Sequence, residues 1–111
     1  MKMAKIEREI HGDFQELLNR IEQGIMNGSS TSSLEDSSDF ADENARCSVR
    51  VFERFSAMGG NRVSLNVTLF QSGHGPIKIS AITSGGSQAM FFKVNTLGES
   101  AFLDCLRDIL D

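Results

Sequence analysis

Polar and apolar residues alternate from Ala4 to Ile10, with Ala4, Ile6, Arg8 and Ile10 on one face and Lys5, Glu7 and Glu9 on the other. A period of two predicts a strand with one wet face. After Gly12 the period changes. Asp13-Phe14-Gln15-Glu16 reads as a capping box, and Phe14, Leu17, Leu18, Ile21 and Ile25 follow at helical spacing until Asn27-Gly28. From 29 to 45 the pattern is lost in serines and acids. We expect a short polar edge strand over Ser30 to Asp36, then an acidic loop from Ser37 to Ala45, with Leu34 and Phe40 as anchors, and disorder of the stretch as the competing reading.

Alternation returns from Arg46 to Ser56. Cys47, Val49, Val51 and Phe55 carry most of the apolar surface and share a face with Glu53, so that face is expected to meet the core. Ser48, Arg50, Phe52 and Arg54 would then point outward with Arg46. Gly59-Gly60-Asn61 makes a turn. Val63, Leu65, Val67 and Leu69 form the core face of the next strand, and Gly73-His74-Gly75-Pro76 the next turn. Ile77, Ile79 and Ala81 alternate with Lys78, Ser80 and Ile82. A turn at Ser84-Gly85-Gly86-Ser87 leads into a strand over Gln88 to Val94. A second capping box, Thr96-Leu97-Gly98-Glu99, opens a helix carrying Phe102, Leu103, Leu106, Ile109 and Leu110.

The expected architecture is a two-layer α+β sandwich. An antiparallel sheet of five to six strands carries two helices on one face, in the order β-α-(β)-β-β-β-β-α. That arrangement resembles a TATA-binding-protein half-repeat or a reduced helix-grip domain at the level of fold, a likeness that carries no function. At 111 residues the chain is expected to form a single domain, 1–111, interrupted by the Ser-rich acidic stretch at 29–45.

Charge changes this picture more than composition does. The formal net charge is −4, but it is segregated. Arg46, Arg50, Arg54, Arg62, Lys78 and Lys93 stand against Glu53 alone in the central meander, whereas the flanking segments are acidic. If Phe55 pairs with Val63, then Arg46, Arg50, Arg54, Arg62 and Lys78 share an outer sheet face with Phe52 and Phe70. Such a face has the ingredients for single-stranded nucleic acid. The negative total and the missing RNA-binding motif argue against that reading. The same face, with Phe52, Phe70 and Ile82, suits self-association, or a meeting between its arginines and an acidic loop.

Candidate chemistry is sparse. Cys47 and Cys105 lack metal or redox spacing. The Thr83–Gln88 turn lacks the Lys of a phosphate loop, and the acidic cluster Glu35, Asp36, Asp39, Asp42 and Glu43 does not match a calcium loop. His11 and His74 have no triad around them. No catalytic residue, metal or cofactor is expected. One conflict of type and pattern stands out: Glu53 and Arg8 both fall on expected core faces. We expect them to pair within or beside a helix–sheet pocket lined by Phe14, Val51, Phe55 and Phe102, which would accept a small ligand of unknown identity.

Gly28–Asp36, Cys47–Phe55, Gly59–Leu65 and Ala81–Ala89 resemble segments of a family of small uncharacterised bacterial proteins, and the likeness spans nearly the whole chain. The resemblance implies a bacterial, cytosolic protein of unknown function. The absence of an 18-residue apolar run and of a signal-peptide core also implies a cytoplasmic protein without a membrane partner. A non-enzymatic binding or interaction domain, self-associating as a homo-oligomer, is the leading expectation. A ligand or enzymatic pocket and a nucleic-acid-binding face are the alternatives.

Overall fold

The computed structural model describes residues 4–28, 31–55, 62–85 and 106–110. The first strand, β1 (Ala4–Ile10), leads into helix α1 (Phe14–Asn27), followed by β2 (Ser32–Ala41), β3 (Ala45–Phe55), β4 (Arg62–Ser72) and β5 (Ile77–Gly85). Residues 106–110 are again helical. The five strands form one antiparallel sheet in the order β1-β5-β4-β3-β2. The α+β class, the antiparallel meander and the helices on one face are as expected from the pattern. Among the described residues no helix is long and apolar enough to cross a membrane. The expected strand Gln88 to Val94, the turn at Gly59-Gly60-Asn61, the second capping box, Cys105 and Phe102 lie outside the described residues.

Helix α1 forms where its capping signal places it. The Asp13 carboxylate accepts from the Glu16 N–H at 2.8 Å, satisfying one of the orphan donors of the first turn. The stripe Phe14, Leu17, Leu18, Ile21 and Ile25 is buried against the sheet. Beneath it lie Ile6, Phe52, Val63, Leu65, Val67, Leu69, Ile77, Ile79 and Ala81, and Leu106 and Leu110 complete the same core. Residues 106–110 lie against the flank of α1 at Gly24, where a β-carbon would sit within 2.5 Å of the Ile109 side chain.

Two expectations are corrected. The first concerns residues 37–45: instead of a loop they continue β2 as far as Ala41, and a tight turn at Asp42–Ala45 leads into β3. Pairing with β3 supplies the backbone hydrogen bonds that local propensity does not, and a bulge between Leu34 and Asp36 absorbs one residue. The second concerns the phase of β3. Arg54, and not Phe55, faces Val63, and Phe52 faces Leu65. A slip of one residue exchanges the two faces of a strand. Phe52 is therefore 0% exposed in the core, with Ser48 and Arg50 also buried on the helix side. Cys47, Val49, Val51, Glu53 and Phe55 point to the open side.

The β4–β5 connection turns at Gly73, whose φ of 58° is a left-handed value. Gly85 closes the other end of this pair with φ 117°, and a β-carbon there would lie 2.7 Å from the Arg62 carbonyl oxygen. Both the dihedral and the approach demand glycine. Gly85→Ala is expected to lower stability by about 2 kcal/mol, seen as a lower midpoint in thermal denaturation. An unchanged midpoint would contradict this geometry.

Candidate functional site

On the helix side, the arginines of β3 are absorbed into structure. Arg46 lays its guanidinium over the Phe14 ring, 4.3 Å from its centroid, and donates to the Gln15 side chain at 3.2 Å. Arg50 lies beneath α1. Its Nε donates to Glu22 Oε2 at 2.5 Å and its Nη1 to Asp39 Oδ1 at 3.0 Å, while the Ser48 hydroxyl donates to the same Asp39 oxygen at 2.6 Å. Burial opposes the charge of Arg50, but the hydrogen bonds to Glu22 and Asp39 outweigh it and raise its pKa. Hydrogen bonds from Ser48 and then Arg50 hold the Asp39 carboxyl below its ordinary value. The acidic stretch thus meets the basic meander inside this chain, at a network that clamps β2, β3 and α1 together.

The pocket expected between Glu53 and Arg8 does not assemble. Arg8 lies on the helix side of β1, and Glu53 on the open side of β3. Two strands, β5 and β4, separate them. Glu53 instead pairs with Arg62 across the β3–β4 ladder at 2.5 Å. Phe14 is in the core, whereas Val51 and Phe55 face the opposite side of the sheet. The expected basic face is likewise divided. Arg62, Lys78 and Phe70 lie on the open side, and Arg46, Arg50, Phe52 and Arg54 on the helix side.

The phase of β3 instead leaves apolar residues on the open face. Cross-strand register places Phe40, Cys47, Phe70, Lys78 and Glu9 in one row. The next row is Ser38, Val49, Thr68, Ser80 and Glu7, and the one after it Asp36, Val51, Asn66, Ile82 and Lys5. Phe40 is 67% exposed, and Phe70 and Ile82 are each 39% exposed. A shallow depression of about 250 Å³ lies among Phe40, Cys47 and Phe70. A second, of about 450 Å³, lies between Phe70 and the charged margin of Glu7, Glu9 and Lys78. The arrangement is an apolar centre with a charged rim on the β1 side, as in many protein interfaces. Phe70 and Ile82 were legible in the sequence as outward residues. The rest of the patch was hidden because β3 shows its more apolar face to the outside.

Among the described residues no cluster of three or more His, Cys, Asp or Glu side chains has the geometry to hold a metal ion.

A sheet with helices on one side and an apolar patch on the other defines the class of this protein by architecture alone. Residues 3–111 match a family of unknown function (DUF6054), and the chain belongs to it. Among solved structures, protein MLL2253 from Mesorhizobium loti is 15% identical with a TM-score of 0.55, over 99% of this chain and 97% of that one. The Ran-binding protein Mog1p of Saccharomyces cerevisiae is 10% identical with a TM-score of 0.51, over 98% of this chain and 63% of that one. Hypothetical protein jhp0584 from Helicobacter pylori is 12% identical with a TM-score of 0.48, over 95% of this chain and 85% of that one. At these identities the likenesses to the Mesorhizobium loti and Saccharomyces cerevisiae proteins show the fold alone. No curated protein matches the chain.

Proposed function

We propose that this protein is a non-enzymatic interaction domain whose open sheet face binds a second copy of the chain. The observation that carries this reading is the row Phe40, Cys47 and Phe70, with Val49, Val51 and Ile82 beside it, on the side of the sheet opposite α1. Leaving such a patch in water is costly, at about 25 cal/mol per Å² of apolar surface.

Area supports a second copy as the occupant. Strands about 4.8 Å apart and roughly ten residues long at about 3.3 Å each give a five-stranded face of roughly 800 Å². A standard stable interface takes about 800 Å² from each partner. Charge supports it as well. The open face carries Lys5, Arg62 and Lys78 against Glu7, Glu9, Asp36 and Glu53. A surface of mixed sign can meet itself about a two-fold axis, whereas a polyanion would need an excess of cations.

Light scattering coupled to size exclusion tests this. The wild type is expected to run as a dimer, and Phe70→Glu as a monomer with an unchanged circular dichroism spectrum, because Phe70 is partly exposed in the single chain. Dissociation of the variant dimer should be at least 100-fold easier, as expected for a charge placed in a desolvated interface centre. A wild type that is monomeric at about 100 μM would overturn the proposal.

A further inference from the structure

We propose that the outer edge of β2, which pairs with no further strand among the described residues, is a strand-addition site for a basic, extended segment of another polypeptide. β2 closes the sheet order, and from Leu34 to Ala41 every residue is exposed. The direction of its backbone groups follows from two observations. The Asp42 N–H donates to the Ala45 carbonyl at 2.8 Å, which continues the ladder of Phe40 with Cys47 and of Ser38 with Val49. Backbone groups alternate in direction along a strand, so Ser37, Asp39 and Ala41 turn their N–H and C=O groups away from β3. Independently, the Ser37 N–H donates to the Asp36 carboxylate at 2.8 Å, which an amide engaged with β3 would not do.

That hydrogen bond is a latch on the edge. The Asp36 carboxylate occupies a donor that an arriving strand needs. A cationic side chain opposite Asp36 draws the carboxylate to itself and releases the Ser37 N–H. The remaining charge of the strand points the same way. Glu35 and Asp36, with Asp42 and Glu43 in the adjoining turn, stand without a Lys or Arg between 32 and 45, while Asp39 is already engaged by Arg50. A β2–β2 pair between two copies would set these carboxylates against one another, so the edge rejects itself and selects a basic partner. Side-chain register adds specificity. Phe40 and Asp36 share the open face four residues apart, and the bulge at Glu35 ends the regular edge. The fitting partner is an antiparallel strand with an apolar residue opposite Phe40 and a Lys or Arg four residues later, opposite Asp36. This is recognition by β-augmentation, in which backbone bonds give affinity and alternate side chains give selectivity.

The test uses the full chain and an acetylated, amidated hexapeptide, Val-Thr-Val-Thr-Lys-Thr, followed by NMR. Addition of the peptide is expected to shift the Ser37, Asp39 and Ala41 amides and slow their hydrogen exchange. Binding should weaken about tenfold or more in Ser37→Pro, which deletes an outward N–H and leaves the ladder to β3 intact, and equally when Glu replaces the peptide's Lys. Asp36→Lys should reverse the preference between the two peptides. The proposal is overturned if millimolar peptide leaves the three amides unmoved, if the shifts centre on Phe70 and Ile82, or if the Glu peptide binds as well as the Lys peptide.

Discussion

Phe52→Ala is expected to destabilise the protein by about 4 kcal/mol, whereas Val51→Ala, one residue away, should cost about 1 kcal/mol or less. Phe52 is 0% exposed and faces Leu65 beneath α1, while Val51 lies on the open face opposite Asn66. Removing the ring loses its transfer energy and leaves a cavity that helix and sheet cannot both close. Denaturant titration of the two variants reads the difference directly as a shift in midpoint at constant slope. The pair also tests the phase of β3. If Val51→Ala were the more damaging, the strand would have to be turned over. Total stabilities of about 5–15 kcal/mol make the Phe52 loss a large share of the whole.

The second large effect belongs to Arg50. Arg50→Ala is expected to cost about 3 kcal/mol, and Arg50→Met less, because methionine keeps much of the buried stem. The loss combines packing with the release of Glu22 and Asp39 from their shared cation. The penalty is held down because Glu22 and Asp39 keep side-chain exposures of 30% and 59%, so water partly replaces the guanidinium. The network also sets a pH dependence. Asp39 titrates lower in the folded chain than in the unfolded one. Its contribution is therefore complete above the ordinary aspartate value of about 3.9 and is lost as pH falls through the lower, folded value. Denaturant titrations at a series of acidic pH values should show this limb in the wild type and a smaller one in Arg50→Met. Equal limbs would show that the ion pair is not what holds the carboxyl ionised.

Much of the fold was legible because hydrophobic period is a local property. The alternation of β1, β4 and β5 and the stripe of α1 each identify a buried face from a single segment. β3 is different. Its odd positions hold Val49, Val51 and Phe55, so a count of apolar residues selects the wrong face. What decides the phase is non-local: the pairing of Phe52 with Leu65, the ring of Phe14 beneath Arg46, and the carboxylates of Glu22 and Asp39 around Arg50. A buried arginine becomes affordable only when another element brings its partners, and that is not written in β3 itself. The same one-residue slip displaces the candidate site. The apolar count places Arg50, Arg54 and Phe52 on an outer face whose real occupants are Cys47, Val49 and Val51. β2 was legible at its start and lost after Asp36, where serine and aspartate favour turns and only the neighbouring strand imposes extension.

The pairing of β1 with β5 bears on how this chain reaches its native state. β2 to β5 are joined by consecutive hairpins, so each contact forms between neighbours in sequence. β1 must instead find β5 across almost the whole described chain, with Ala4 opposite Thr83. Closing so long a loop costs more entropy than closing any hairpin of the meander, and contacts of that range are characteristic of slow steps. The meander therefore provides the template, and β1 is the strand that completes it, bringing Ile6 into the core last.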